Sequence, residues 1–68
     1  MSEGIVKWFN SRKGYGFIEN ENGQDIFVHY RAIEGDDFKY LLPGEKVKFE
    51  IENSNQGLKA KNVIKVIA

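Results

Sequence analysis

The chain has 68 residues, ten basic and ten acidic side chains giving a formal net charge of zero, one histidine and no cysteine. Such a length holds one domain with a small core, burying about 60% of the surface its unfolded chain exposes, so stability is modest. Disulfide staples and thiolate metal sites are excluded, and a neutral balance argues against a ligand held by charge alone. His29 alone makes no zinc site without several carboxylates, so neither a metal nor another cofactor is expected. No apolar run approaches the roughly 20 residues of a membrane helix, and nothing at Met1 to Asn10 resembles a signal peptide, so no membrane is expected and the cytoplasm is the expected compartment. The whole chain, residues 1–68, reads as one domain without repeat or linker.

Gly4 to Asn10 reads as a first strand, with Ile5, Val6, Trp8 and Phe9 too crowded for clean alternation. Val6 and Trp8 share a parity, so an inward Val6 beside an outward Trp8 would require a bulge. Asn10-Ser11-Arg12 is a polar turn, and Lys13 to Asn20 is the second strand. A third follows in Asp25-Ile26-Phe27-Val28-His29-Tyr30.

The second and third strands alternate with period two, so each has one dry and one wet face. Tyr15, Phe17 and Glu19 share one parity; Phe27 and His29 share theirs with Asp25. Burying these rings would bury Glu19 and Asp25 with them, and an unpaired buried carboxylate costs several kcal/mol at least. The aromatic parity therefore faces water, and Ile18, Ile26 and Val28 face the core. Residues opposite one another in an antiparallel pair share a face, which selects a three-residue loop, Glu21-Asn22-Gly23, over a two-residue one. Phe17 then faces Phe27, Tyr15 faces His29, and Gly23 takes the left-handed position of the loop.

Arg31-Ala32-Ile33 is long enough for one helical turn, and Glu34 to Glu45 is a long loop with an acidic cluster at Glu34, Asp36 and Asp37. Lys46 to Glu52 is a fourth strand with Val47, Phe49 and Ile51 inward; turn residues 53–57 follow, then a fifth strand from Leu58 to Ile67. Gly14 and Gly16 fit best as glycines at bends of the barrel wall. Five short strands in so short a chain give an all-β fold, a small five-stranded antiparallel OB-fold barrel whose second and third strands carry the ligand.

A row of outward aromatic rings calls for a ligand. Single-stranded nucleic acid fits best, because unstacked bases lie flat on such rings at about 1 to 3 kcal/mol per base. Lys7, Arg12 and Lys13 cluster before the first aromatic strand, where phosphates would be met. Two other classes stay open on the residues alone. A protein-interaction barrel could hold a proline-rich peptide on the same strip, and a small nuclease would need metal-binding carboxylates, for which only Glu19 and Asp25 are placed. An enzyme is not expected: Ser11 and Ser54 lie in turns without an implied base, and His29 lacks a catalytic partner.

Lys13-Gly14-Tyr15-Gly16-Phe17-Ile18 looks like the first ribonucleoprotein motif, Ile26-Phe27-Val28-His29-Tyr30 like the second, and Lys7-Trp8-Phe9-Asn10 and Gly35-Asp36-Asp37-Phe38 add matches outside them. On these motifs the chain resembles a bacterial cold shock protein along essentially its whole length. The resemblance implies that Trp8, Phe17, Phe27, His29, Tyr30 and Phe38 stack bases with Tyr15 beside them, while Lys7 and Lys13 reach phosphates or base edges. It also implies single-stranded RNA and DNA as partners, low sequence selectivity and RNA-chaperone activity without ATP; a monomer is expected. Arg31 stands where that family usually has serine, adding a cation next to the strip; Gln56 and Leu58 replace frequent arginine and proline.

Overall fold

The computed structural model describes residues 2–35 and 40–66. Its elements are five strands, β1 (Ser2–Asn10), β2 (Tyr15–Asn20), β3 (Asp25–His29), β4 (Lys46–Ser54) and β5 (Gly57–Lys65), with one 3-10 turn at Tyr30–Ala32 after β3. They close into a barrel in the order β1-β2-β3-β5-β4.

Four of the five neighbouring pairs are antiparallel, as expected, but the pair that closes the barrel, β3 with β5, is parallel. The reason is one of parity: directions cannot alternate all the way round a ring with an odd number of strands. The closing ladder is also short. Phe27 opposite Lys59 is its one paired position within the strands, and an isolated parallel bridge joins Ile33 to Val63 beyond it.

Two bulges shape the wall. Between β1 and β2 the register is Val6 with Ile18, then Trp8 with Phe17, so Lys7 is the extra residue. Val6 is buried and Trp8 is 43% exposed, as a bulge at this point requires. The second lies between β4 and β5, where Lys48 pairs with Ile64 and Glu50 with Lys61. Here β5 carries the extra residue, and Asn62 takes a positive φ of 53° beside it. That restores both Ala60 and Val63 to the core.

The core consists of Val6, Ile18, Ile26, Val28, Ile33, Leu41, Val47, Phe49, Ala60 and Val63, with Phe9, Ala32 and Leu58 packed against it. Ile51 is a correction: its parity matches that of Val47 and Phe49, yet it is 39% exposed. β1 begins at Ser2, opposite Phe49, so Ile51 lies past the last β1 residue that could cover it. Gly16 sits where a side chain would fall on the Trp8 carbonyl oxygen and come within 2.9 Å of the Phe9 ring. Its missing Cβ lets Phe9 pack inward across the β1 and β2 ladder.

Candidate nucleic-acid interface

The hairpin of β2 and β3 sets the interface. Its register pairs Tyr15 with His29 and Phe17 with Phe27. A three-residue loop produces it, with Gly23 at φ 81° and the Asn20 amide donating to the Gln24 carbonyl at 2.9 Å. Asn20 holds the loop from inside: its Oδ1 accepts from the amides of Asn22 and Gln24, and its Nδ2 donates to Gln24 Oε1. A one-residue slip would turn every ring inward, so this turn decides which face is aromatic.

On the outer face the rings form a continuous platform. Trp8 touches Tyr15 and Phe17 at centroid distances of 5.8 and 5.6 Å. Tyr15 stacks on Phe27 at 5.8 Å, and Phe17 meets Phe27 edge-on at the same distance. His29 and Tyr30 form a second group, 4.5 Å apart. Tyr30 is 38% exposed, and Tyr15, Phe17, Phe27 and His29 are half-buried, so their flanks pack together while other ring surface meets solvent.

The 3-10 turn is anchored at both ends of Tyr30. Its amide donates to the Gly14 carbonyl at 2.8 Å, and its ring covers Gly14, whose φ of 82° and absent Cβ leave room for it. His29 Nδ1 accepts from the Arg31 amide at 3.2 Å, which caps the turn and orients the imidazole. The expected turn over residues 31–33 thus begins one residue earlier, and Ile33 falls in the core.

Among the cations, Lys7 makes an ion pair with Asp25 at 3.2 Å, both half-exposed. Arg12 and Lys13 are exposed, on a turn whose two amides donate to Asn10 Oδ1 at 3.0 Å. Arg31 lies along Tyr30, its Nε 3.4 Å from the hydroxyl and its guanidinium carbon 5.9 Å from the ring centroid. The hydrogen bond to the Tyr30 hydroxyl, helped by their charge interaction, raises the guanidinium pKa further. Arg31 is therefore always a cation at the edge of the strip.

The structure thus gathers Lys7, Trp8, Lys13, Tyr15, Phe17, Phe27, His29, Tyr30 and Arg31 around β1 to β3. Phe38 lies outside the described residues. Sequence reasoning missed the β5 side, where Lys59 pairs with Phe27. Its only local trace was Lys59-Ala60-Lys61, an alternation that puts two lysines outward around a core alanine. Among the described residues no group of three histidine or acidic side chains could hold a metal ion, and no helix is long and apolar enough to cross a membrane.

Comparison with known proteins matches this arrangement to one family. The profile of the 'Cold-shock' DNA-binding domain fits residues 2–66. The chain belongs to the cold-shock domain family. A cold shock-like protein CspE of Bacillus anthracis is 60% identical over 63 residues, 93% of this chain and 94% of that protein. Cold shock protein CspD of Bacillus subtilis (strain 168) is 56% identical over 66 residues, 97% of this chain and all of that protein. CspB of Geobacillus stearothermophilus gives the same identity and coverage. For this cold-shock domain, the barrel order, the bulge that turns Trp8 outward and the aromatic face are consistent with the nucleic-acid-binding character of the family.

Proposed function

We propose that this cold-shock domain binds single-stranded RNA and single-stranded DNA with low sequence selectivity, by stacking bases on Trp8, Tyr15, Phe17, Phe27, His29 and Tyr30. Phe38 is included on its motif match. Lys7, Lys13 and Arg31 contact phosphates or base edges. The observation that carries the reading is the continuous ring platform from Trp8 to Phe27, half open to solvent on the face opposite the buried hydrophobic core. Rings present every base with the same π surface, so binding tolerates sequence.

Holding bases unstacked favours the single-stranded form by mass action. The domain therefore melts weak RNA structure without ATP, and in the cytoplasm it acts as a monomeric RNA chaperone, regulating transcription or translation through the strands it keeps open. No chemical step is involved. Trp8 is part of the platform and reports on it directly. Its fluorescence should be quenched saturably by a short oligothymidine and left unchanged by a proline-rich peptide, and an RNA should keep its length when magnesium is added. Quenching by the peptide alone, or shortening of the RNA, would refute the reading.

A further inference from the structure

On the β5 side the platform borders two grooves that share Phe27 and Lys59. The first runs from Phe17 and Asp25, on the aromatic strip, to the turn between β4 and β5. The second, of about 480 Å³, is lined by Phe27, His29, Arg31, Glu52, Lys59 and Lys61 around the small side chains of Ala32 and Ala60. It exists because β3 and β5 pair only at Phe27 and Lys59 before the bridge of Ile33 with Val63. Between those points the wall carries a seam, and its lining holds three cations and one carboxylate.

That carboxylate is shared. Glu52 Oε1 lies 3.3 Å from Lys59 Nζ and its Oε2 3.8 Å from Lys61 Nζ. Lys61 is also 3.9 Å from Glu50, which accepts from Asn62 Nδ2 at 3.3 Å. The side chains of Lys59, Lys61, Glu50 and Glu52 are between 42% and 47% exposed, and ion pairs so open to water hold weakly and exchange partners readily. Arg31, held along Tyr30, faces no carboxylate among the described ion pairs.

We propose that this groove is a second track for single-stranded nucleic acid, in which Arg31, Lys59 and Lys61 take the phosphates of nucleotides running past the aromatic strip and Glu52 is the counter-ion they displace. The inference rests on the reading of the strip as a single-strand site. Continuity supports it, because Phe27 and His29 belong to both surfaces. Charge supports it too, because the groove is cationic while the whole chain is neutral. The first segment of a bound strand is then held by stacking and the continuation by charge, with Glu52 limiting how tightly long strands bind.

The two modes separate by length and salt. Oligothymidines of about 5 and about 12 nucleotides fall near the short end and in the upper half of the range of site sizes of such barrels, about 4 to 16 nucleotides. Each is titrated against the intact protein, with Trp8 fluorescence followed over a salt series. Arg31 already borders the strip, so the two further phosphate contacts, at Lys59 and Lys61, should steepen the slope of log affinity against log salt by about 1.4 for the longer strand, at about 0.7 per contact. A longer strand with merely more binding registers would gain affinity without gaining slope. Lys61→Gln should lower the long strand's slope by about 0.7, and Glu52→Gln should raise its affinity several-fold at low salt. Equal slopes for the two lengths in the unmodified protein would overturn the track while leaving the strip intact. So would indifference of the long strand to both substitutions. Failure of the shorter strand to bind would overturn the strip itself, and the track with it.

Discussion

Trp8 lies directly opposite Phe17 across β1 and β2, with ring centroids 5.6 Å apart, although its neighbour in parity, Val6, points into the core. Lys7 makes this possible by occupying the bulge. The extra residue turns the strand over between one position and the next, so a single β1 supplies both a core valine and the end of the aromatic platform. On the edge of β1 away from β2, the loop before β4 holds the strand just ahead of the bulge: the Val6 amide donates to the Glu45 carbonyl at 2.9 Å, and the Gly44 amide to the Val6 carbonyl at 2.8 Å.

Because Phe17 and Phe27 are paired on the outer face, their main effect should be on binding. Alanine at either is expected to weaken a short oligonucleotide by about 1 to 3 kcal/mol. Unfolding in denaturant should move by less than the roughly 3 kcal/mol seen for core phenylalanines, since both rings are half-open to water. A larger loss of stability than of affinity would mean that these rings hold the fold together.

Core truncations should rank by position in the barrel. Ile18→Ala removes a fully buried side chain and should cost about 2 to 4 kcal/mol in a denaturant melt. Ile51→Ala, at the end where β1 no longer covers β4, should cost about 1 kcal/mol. Equal losses at the two positions would refute the account of Ile51 as a residue of the barrel mouth.

The contrast between Ile18 and Ile51 marks how far local pattern reaches. Alternation settled the faces of β2 and β3, because carboxylates at Glu19 and Asp25 share the ring parity and cannot be buried. Loop length then settled the register of Phe17 with Phe27 through the same constraint. Parity also made the fate of Val6 and Trp8 conditional on a bulge. What alternation does not contain is where a neighbouring strand begins, and Ile51 depends on that. Nor does it contain the parallel closure, which joins Phe27 to Lys59 across half the chain and has no local signature. The pairing of Lys7 with Asp25 is of the same kind, formed only once the bulge has placed the lysine beside β3.

Gly16 offers a test of wall packing independent of the core. In Gly16→Ala the new methyl would fall on the Trp8 carbonyl, a backbone atom that cannot swing aside, and would press on Phe9 Cα at 2.7 Å. β1 would have to shift away from β2, at a cost of about 1 to 3 kcal/mol in a thermal or denaturant melt. Gly23→Ala meets nothing within 4 Å, so its cost comes from its positive φ alone and should stay near 1 kcal/mol. A Gly16→Ala protein as stable as the parent would show that the two strands are not in such close contact.

Salt dependence separates charge from stacking on the strip itself. The formal net charge is zero, so no general field draws a polyanion in, and only cations beside the strip release counterions. Lys7 begins with Asp25 as its partner, which leaves Arg12, Lys13 and Arg31 as the cations best placed for phosphates. With about two to four contacts at 0.7 each, log affinity for a strand short enough to cover only the strip should fall against log salt with a slope of roughly −1 to −3. Lys13→Gln should reduce that slope by about 0.7 and weaken all sequences alike, whereas Phe27→Ala should weaken binding and leave the slope nearly unchanged. The two substitutions thus act on different coordinates of one plot. If Phe27→Ala flattened the slope and Lys13→Gln did not, or if the parent slope were steeper than about −5, the short strand would be held by its phosphates and the rings would serve only to space them.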